Sequence, residues 1–143
     1  MISSVKETDL LEILEIEKSC FKSPYTEKML QSSFEYKGFF GAVKKSEEIE
    51  GYLICSIVLD EANIDRVAVR EKYRNQNVAT SLIAFTEKEL KNRGVKTVYL
   101  EVRVSNQKAI NLYTKLGYEN VAIRKKYYDN VEDAFVMEKL LVE

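Results

Sequence analysis

Residues 62–102 carry the pattern that most restricts how this chain can fold. A strand-like run, "ANIDRVAV", leads through the polar connector "REKYRNQ" into a helical run from Asn77 to Arg93. Gly94 stands where a helix takes a left-handed cap, and a second strand-like run, "VKTVYLEVRV", follows. Two strands joined through a helix lie parallel in one sheet, with a right-handed crossover. Open sheets of this kind form ligand crevices at the C-terminal ends of their parallel strands.

The flanking segments extend the sheet with antiparallel strands. "ISSVKE" reads as a first strand, and Thr8 is the expected cap of a helix from Leu10 to Phe21. Leu11, Leu14 and Cys20, with Ile13 and Ile16 beside them, are expected on its apolar face. Thr26 is placed to cap a short second helix through Phe34. "GFFGAVKK" and "EGYLICSIVLD" read as a hairpin, with a tight link at Asp60 and Glu61 to the next strand. "SNQKAINLYTKLGYE" is an amphipathic helix ended by Gly117, and "ENVAIRKKYY" and "EDAFVMEKLL" form a last hairpin around "DN". The order is β-α-α-β-β-β-α-β-α-β-β. It predicts an α/β (α+β) fold: a mixed sheet of about seven strands with helices on both faces. No repeat or linker divides the chain, so residues 1–143 are expected to form a single domain.

Composition narrows the chemistry. The 22 basic and 23 acidic residues give a net charge of −1, so the whole chain is no electrostatic footprint for nucleic acid or anionic membrane. Histidine is absent, so proton transfer near neutral pH falls to carboxylate, tyrosine, lysine, cysteine or water, and no Cys/His zinc cluster is available. Cys20 and Cys55 read as small buried hydrophobes in a reducing compartment. The N-terminus lacks a signal-peptide pattern, and the longest apolar run, 52 to 59, is too short to span a bilayer. A cytoplasmic protein with no membrane contact is expected.

Three positions and one loop could carry chemistry. In "TVYLEVRV", Glu101 has the opposite parity to Val98, Leu100 and Val102, and it lies near the C-terminal end of the second parallel strand. It can be a base or a solvated strand glutamate. Tyr113 can donate a proton from the next helix or pack there, and Asn106 can cap that helix or touch a ligand. The loop "YRNQNVATSL" precedes a helix N-terminus, whose free amides bind anions. It has no glycine, but Asn75 and Asn77 tolerate left-handed backbone and Ala79 allows close approach. The same residues also fit a plain strand-to-helix connection.

Taken together these segments resemble the GNAT superfamily of N-acetyltransferases over essentially the whole chain. "RNQNVA" sits where that family has (Arg/Gln)-x-x-Gly-x-(Gly/Ala); Arg74 and Ala79 match, and Asn77 stands in the glycine position. "VLDEANIDRVAV", "LEVRVSNQKAINLYTKLGY" and "RKKYY…EDAFVM" resemble the ribosomal-protein-alanine (RimI) branch, and Tyr25 of "SPYTEK" takes the position of a tryptophan there. The resemblance implies acetyl-CoA as cofactor, with direct transfer to the N-terminal alanine of a small-subunit ribosomal protein. It implies backbone contacts from Val67, Ala68 and Val69 to the acetyl-pantetheine. The pyrophosphate would lie on the loop of Arg74, Asn75, Gln76, Asn77, Val78, Ala79 and Thr80. Asn106 would bind cofactor, Glu101 would be the general base and Tyr113 the general acid. Tyr25, Glu61, Tyr127 and Tyr128 are candidates for a peptide groove, the last two also fitting ordinary strand packing. Arg124, Lys125 and Lys126 read as a solvated face. Alternative readings are transfer to a small amine or lysine side chain, and a non-catalytic acyl-CoA-binding module.

Overall fold

In a computed structural model, residues 1–128 and 132–141 are described, except the side chains of Tyr127 and Tyr128. Those two candidates for the peptide groove, and the turn at Asp129 and Asn130, therefore lie outside the described residues. The elements are β1 (Ile2–Ser4), α1 (Leu10–Cys20), α2 (Glu27–Glu35), β2 (Phe39–Lys45), β3 (Ile49–Val58) and β4 (Glu61–Val69), followed by α3 (Val78–Asn92), β5 (Thr97–Arg103), α4 (Gln107–Lys115), β6 (Glu119–Tyr128) and β7 (Glu132–Leu140). They follow the expected order. The sheet has seven strands in the order β1-β2-β3-β4-β5-β7-β6. Its one parallel pair is β4–β5, flanked by antiparallel neighbours on both sides.

That parallel pair is short, and this opens the sheet. Pairing runs from Glu61↔Thr97 to Ile64↔Leu100 and stops, although β4 continues to Val69 and β5 to Arg103. The stop coincides with a bulge in β4. On the β3 side the register jumps between Ile54↔Arg66 and Cys55↔Ile64, leaving Asp65 as an extra residue. A bulge bends its strand and increases its twist. Here it carries the second half of β4 away from β5, leaving a wedge in the middle of the sheet.

Strand alternation divides the apolar residues between two cores. Leu53, Cys55, Ala62, Ile64, Val98 and Leu100 pack beneath α3, which contributes Leu82, Ile83 and Leu90. Tyr52, Ile54, Ala68 and Val43 pack on the other face against Ile13 and Ile16 of α1 and Leu30 of α2. Each fully buried aliphatic side chain contributes about 1.5–3 kcal/mol of transfer free energy. Burial also pushes the Cys55 thiol up to about 12, so it is an inert member of the core. Among the described residues no helix is long and apolar enough to cross a membrane.

Several local expectations change. Thr8 does not cap α1. A 3₁₀ turn at Glu7–Asp9 precedes the helix, and the Lys6 amide donates to the Asp9 carboxylate at 2.8 Å, leaving Thr8 inside the turn. Leu11 is 72% exposed, because the buried stripe of α1 runs through Leu10, Ile13, Leu14 and Glu17, spaced at i, i+3, i+4 and i+7. The fourth place on that stripe is a glutamate. Cys20 is half-buried rather than buried, since α1 ends there beside the open edge of β4. Thr26 does cap α2, accepting from the Met29 amide at 3.1 Å. Gly94 and Gly117 close α3 and α4 with φ of +86° and +100°.

Candidate active site

The wedge between β4 and β5 forms a cleft of about 260 Å³. One wall is β4 at Asp65, Arg66 and Val67, with Phe21, Lys22 and Ser23 from the segment after α1. The other wall is β5 at Glu101, with Asn106, Ala109 and Tyr113 from the start and middle of α4. Three residues singled out for chemistry, Glu101, Asn106 and Tyr113, are therefore brought to one cavity with Val67.

The backbone of β4 turns alternate amides and carbonyls to β3 and to the cleft. The Arg70 amide donates to the Glu50 carbonyl at 2.8 Å. Antiparallel pairing alternates in steps of two, so Ala68 and Arg66 also direct their amides to β3, opposite Tyr52 and Ile54. Val67 and Val69 direct theirs outward, on the edge that β5 has left. The Val69 carbonyl accepts from Arg74 Nε at 3.1 Å and lies 3.7 Å from the Cys20 sulfur. Among the described residues, the Val67 groups and the Val69 N–H are the outward donors and acceptors that remain on this edge.

Glu101 is half-buried, and its Oε2 accepts from Arg124 Nη1 at 2.8 Å. Arg124 is thus part of the site's electrostatics rather than only a solvated face. Glu101 also borders a second cavity of about 330 Å³, on the sheet face that carries Glu61, Asn63, Tyr99 and Val136. It is the side chain at which the two cavities meet. Glu61 accepts from the Tyr99 hydroxyl at 3.4 Å in that second cavity, whereas Tyr25 sits behind the cleft wall with its ring 4.3 Å from the Arg66 guanidinium carbon.

Tyr113 packs edge-on to Tyr118 with ring centroids 6.1 Å apart, and desolvation raises its hydroxyl above the ordinary tyrosine range. The proton therefore stays on Tyr113 throughout neutral pH. Asn106 caps α4, its Oδ1 accepting from the Ala109 amide at 3.2 Å, which leaves the Nδ2 donors for other partners.

The loop before α3 adopts the conformation expected of asparagine. Asn75 and Asn77 have φ of +64° and +62°. The first bond of the α3 ladder joins the Ser81 amide to the Asn77 carbonyl at 3.0 Å. The amides of Val78, Ala79 and Thr80 thus belong to the unpaired first turn, where the helix dipole favours an anion. The Asn77 side chain makes no capping bond. Arg74 turns from the loop toward β4, bonding Val69 and contacting the Cys20 sulfur at 3.5 Å. Asn77→Gly keeps the left-handed backbone and removes only a side chain without a local role. It is expected to leave acetyl-CoA affinity unchanged or to tighten it, as read by isothermal titration. A clear loss of affinity would assign the side chain a ligand contact.

Sequence reasoning missed Glu17 and Arg66. Glu17 is fully buried and accepts from Arg66 Nε and Nη2 at 3.2 and 3.0 Å, from the Tyr25 amide at 2.8 Å, and from the Tyr52 hydroxyl. A signal was present, because a carboxylate on the apolar stripe of α1 demands a buried partner.

The splayed β4 edge, the loop before α3, and a carboxylate and a tyrosine lining one cleft belong to a chain of the acetyltransferase class, as its family match shows. The sequence pattern of the acetyltransferase (GNAT) family matches residues 10–118, and the chain belongs to that family, whose acetyltransferases use acetyl-CoA. It is 36% identical over 139 residues to the [ribosomal protein bS18]-alanine N-acetyltransferase of Escherichia coli (strain K12), covering 95% of this chain and 94% of that protein. It is 31% identical over 150 residues to an N-alpha-acetyltransferase of Sulfurisphaera tokodaii, covering 95% of this chain and 90% of the relative. The crystal structure of the ribosomal-protein-S18-alanine N-acetyltransferase from Escherichia coli superposes with a TM-score of 0.93 at 34% identity, over 100% of this chain and 94% of that one.

Proposed function

We propose that this chain transfers an acetyl group from acetyl-CoA to the N-terminal α-amine of a protein, an N-terminal alanine of a small-subunit ribosomal protein being the substrate. The observation that carries the reading is the position of Glu101 at the junction of two cavities: the cleft along β4 and the groove on the open sheet face. The relatives from Escherichia coli and Sulfurisphaera tokodaii, named for alanine and α-amine acetylation, support it.

The donor set fits the cofactor. The outward backbone of Val67 and Val69 suits the amide-bearing pantetheine arm, and the amides of residues 78–80 suit its pyrophosphate. Bound acetyl-CoA supplies an activated acyl carbon as a thioester. Glu101 accepts the proton that the α-amine must lose before it can attack, since such amines have an ordinary pKa of about 7.7–8.0. The Val69 N–H donates to the acyl oxygen as negative charge builds there. Tyr113, kept protonated by desolvation, donates to the departing sulfur. Cys55 is buried and takes no part. Glu61 belongs to the peptide side with the open face, and Tyr25 backs the wall of the cleft along β4.

Incubation with acetyl-CoA and peptides beginning Ala, Ser or Met, read by mass spectrometry, tests the reading. Acetylation of the Ala α-amine in preference to polyamines and lysine side chains is expected. No α-amine acetylation of any peptide would sink it, and thermal stabilisation by acetyl-CoA without turnover would leave a binding module. The pH profile follows from these roles. kcat/KM for the peptide stays level through about pH 7.7–8.0, because Glu101 takes the proton that solvent would otherwise have to remove, and Tyr113 keeps its proton below pH 10 because its hydroxyl lies above the ordinary value of 10.0.

A further inference from the structure

Phe21–Tyr25, the segment joining α1 to α2, supplies one wall of the cleft, yet it forms neither helix nor strand. Two side chains hold it. Glu17 Oε1 accepts from the Tyr25 amide at 2.8 Å, and Arg66 Nη2 donates to the Ser23 carbonyl at 2.9 Å. The same Arg66 guanidinium lies 3.9 Å from the Phe21 ring centroid and 4.3 Å from that of Tyr25. The two holders are paired by two hydrogen bonds, and the Tyr52 hydroxyl donates to Glu17 from β3. Glu17 has no exposed surface and the Arg66 side chain is 19% exposed, so the pair is largely desolvated and its geometry is fixed. Arg66 stands immediately after the bulged Asp65, at the point where β4 leaves β5. The bulge that opens the cleft also aims the side chain that sets its wall.

We propose that Arg66, locked by Glu17, is a positioning residue that sets the Phe21–Tyr25 segment as the wall against which the acceptor peptide is aligned. The inference rests on the α-amine acetyltransferase reading for its kinetic consequence. The nucleotide loop lies elsewhere and is held by different contacts: Arg74 on the Val69 carbonyl and the left-handed Asn75 and Asn77. The wall lines the same cleft as Val67 but does not touch the nucleotide loop, so releasing it should change how the peptide is held by more than it changes how the cofactor is held. Arg66 donates to Glu17 and Ser23 and needs no contact with reacting atoms.

Removing one member strands the others, so the decisive variant replaces all three: Glu17→Met/Arg66→Met/Tyr52→Phe. Exchanging a whole buried ion pair for apolar groups is often neutral for stability. The triple variant is expected to fold, with far-UV circular dichroism like the parent. Its KM for an Ala peptide should rise about tenfold or more, since small misplacements of positioning groups have effects of this order. KM for acetyl-CoA should rise by a smaller factor than the peptide KM. Trypsin should cut after Lys22, within the released segment, faster than in the parent, as read from fragment masses. Arg66→Lys, which keeps a charge on Glu17 but loses the flat two-edged donor, should shift both readouts in the same direction by less. A folded triple variant with unchanged peptide KM would overturn the proposal, whether or not trypsin cuts faster. If the triple variant does not fold, Arg66→Lys decides it, and unchanged peptide KM there overturns it. If the parent acetylates no α-amine, the function reading fails instead; faster cutting after Lys22 then supports the positioning of the wall, and unchanged cutting overturns it.

Discussion

Glu101→Gln is expected to lower kcat at pH 7 by about 10²-fold or more, with KM for acetyl-CoA unchanged. Glutamine has the shape of glutamate and still offers an oxygen to Arg124, so the 2.8 Å contact can persist and the wall of β5 stays in place. What it lacks is the ability to take a proton. At pH 7 most α-amines are ammonium, and an ammonium cannot attack a thioester. The deficit should therefore narrow by about tenfold as pH rises above about 8, where solvent has already deprotonated the amine, and the part due to proton removal during attack should persist. Steady-state kinetics with an Ala peptide at pH 7 and pH 9 would show this convergence. A kcat at pH 7 equal to the parent's would remove Glu101 from the proton transfer. Tyr113→Phe, measured alongside, should show no such convergence, because its proton goes to the leaving sulfur rather than coming from the amine.

Much of this site was readable from local rules. Strand parity alone put Glu101 on the face opposite Val98, Leu100 and Val102, which are buried in the structure. The tolerance of asparagine for positive φ predicted the left-handed backbone at Asn75 and Asn77 in a loop without glycine. These rules depend on neighbours in sequence, so one sequence suffices. The cleft itself was not readable. It exists because β4 bulges at Asp65 and parts from β5 beyond Ile64, and the position of a bulge depends on how β3 registers against β4. The same holds for the direction of Arg74, which the resemblance places on the pyrophosphate loop and which folds back onto Val69 and Cys20. Thr8 was displaced by an unanticipated 3₁₀ turn. Leu11 looked like core because apolar residues crowd the start of α1, and only the place of Glu17 on the buried stripe shows where that stripe runs.

Glu17→Ala is expected to be the most damaging single change in α1, although it removes a charged residue from a helix that would otherwise be apolar on that side. Four donors converge on this carboxylate: Arg66 Nε and Nη2, the Tyr25 amide and the Tyr52 hydroxyl. Alanine removes the acceptor they share, leaving Arg66 Nη2 with the Ser23 carbonyl at 2.9 Å, in a site where Tyr52 is fully buried. Stranding one partner of a buried ion pair costs about 3–5 kcal/mol, which for a chain of this size lowers Tm by roughly 10–20 °C. Glu15 gives the contrast. It lies on the same helix, is 72% exposed and meets Arg70 at 3.5 Å, and Arg70 keeps Glu12 at 2.9 Å without it. Glu15→Ala should leave Tm essentially unchanged. Thermal denaturation followed by circular dichroism compares the two, together with Glu17→Met/Arg66→Met/Tyr52→Phe. If the triple variant recovers most of the Tm lost in Glu17→Ala, the loss came from stranded partners and not from a missing attraction. If Glu17→Ala melts within about 3 °C of the parent, the carboxylate is not the hub that fixes the wall of the cleft.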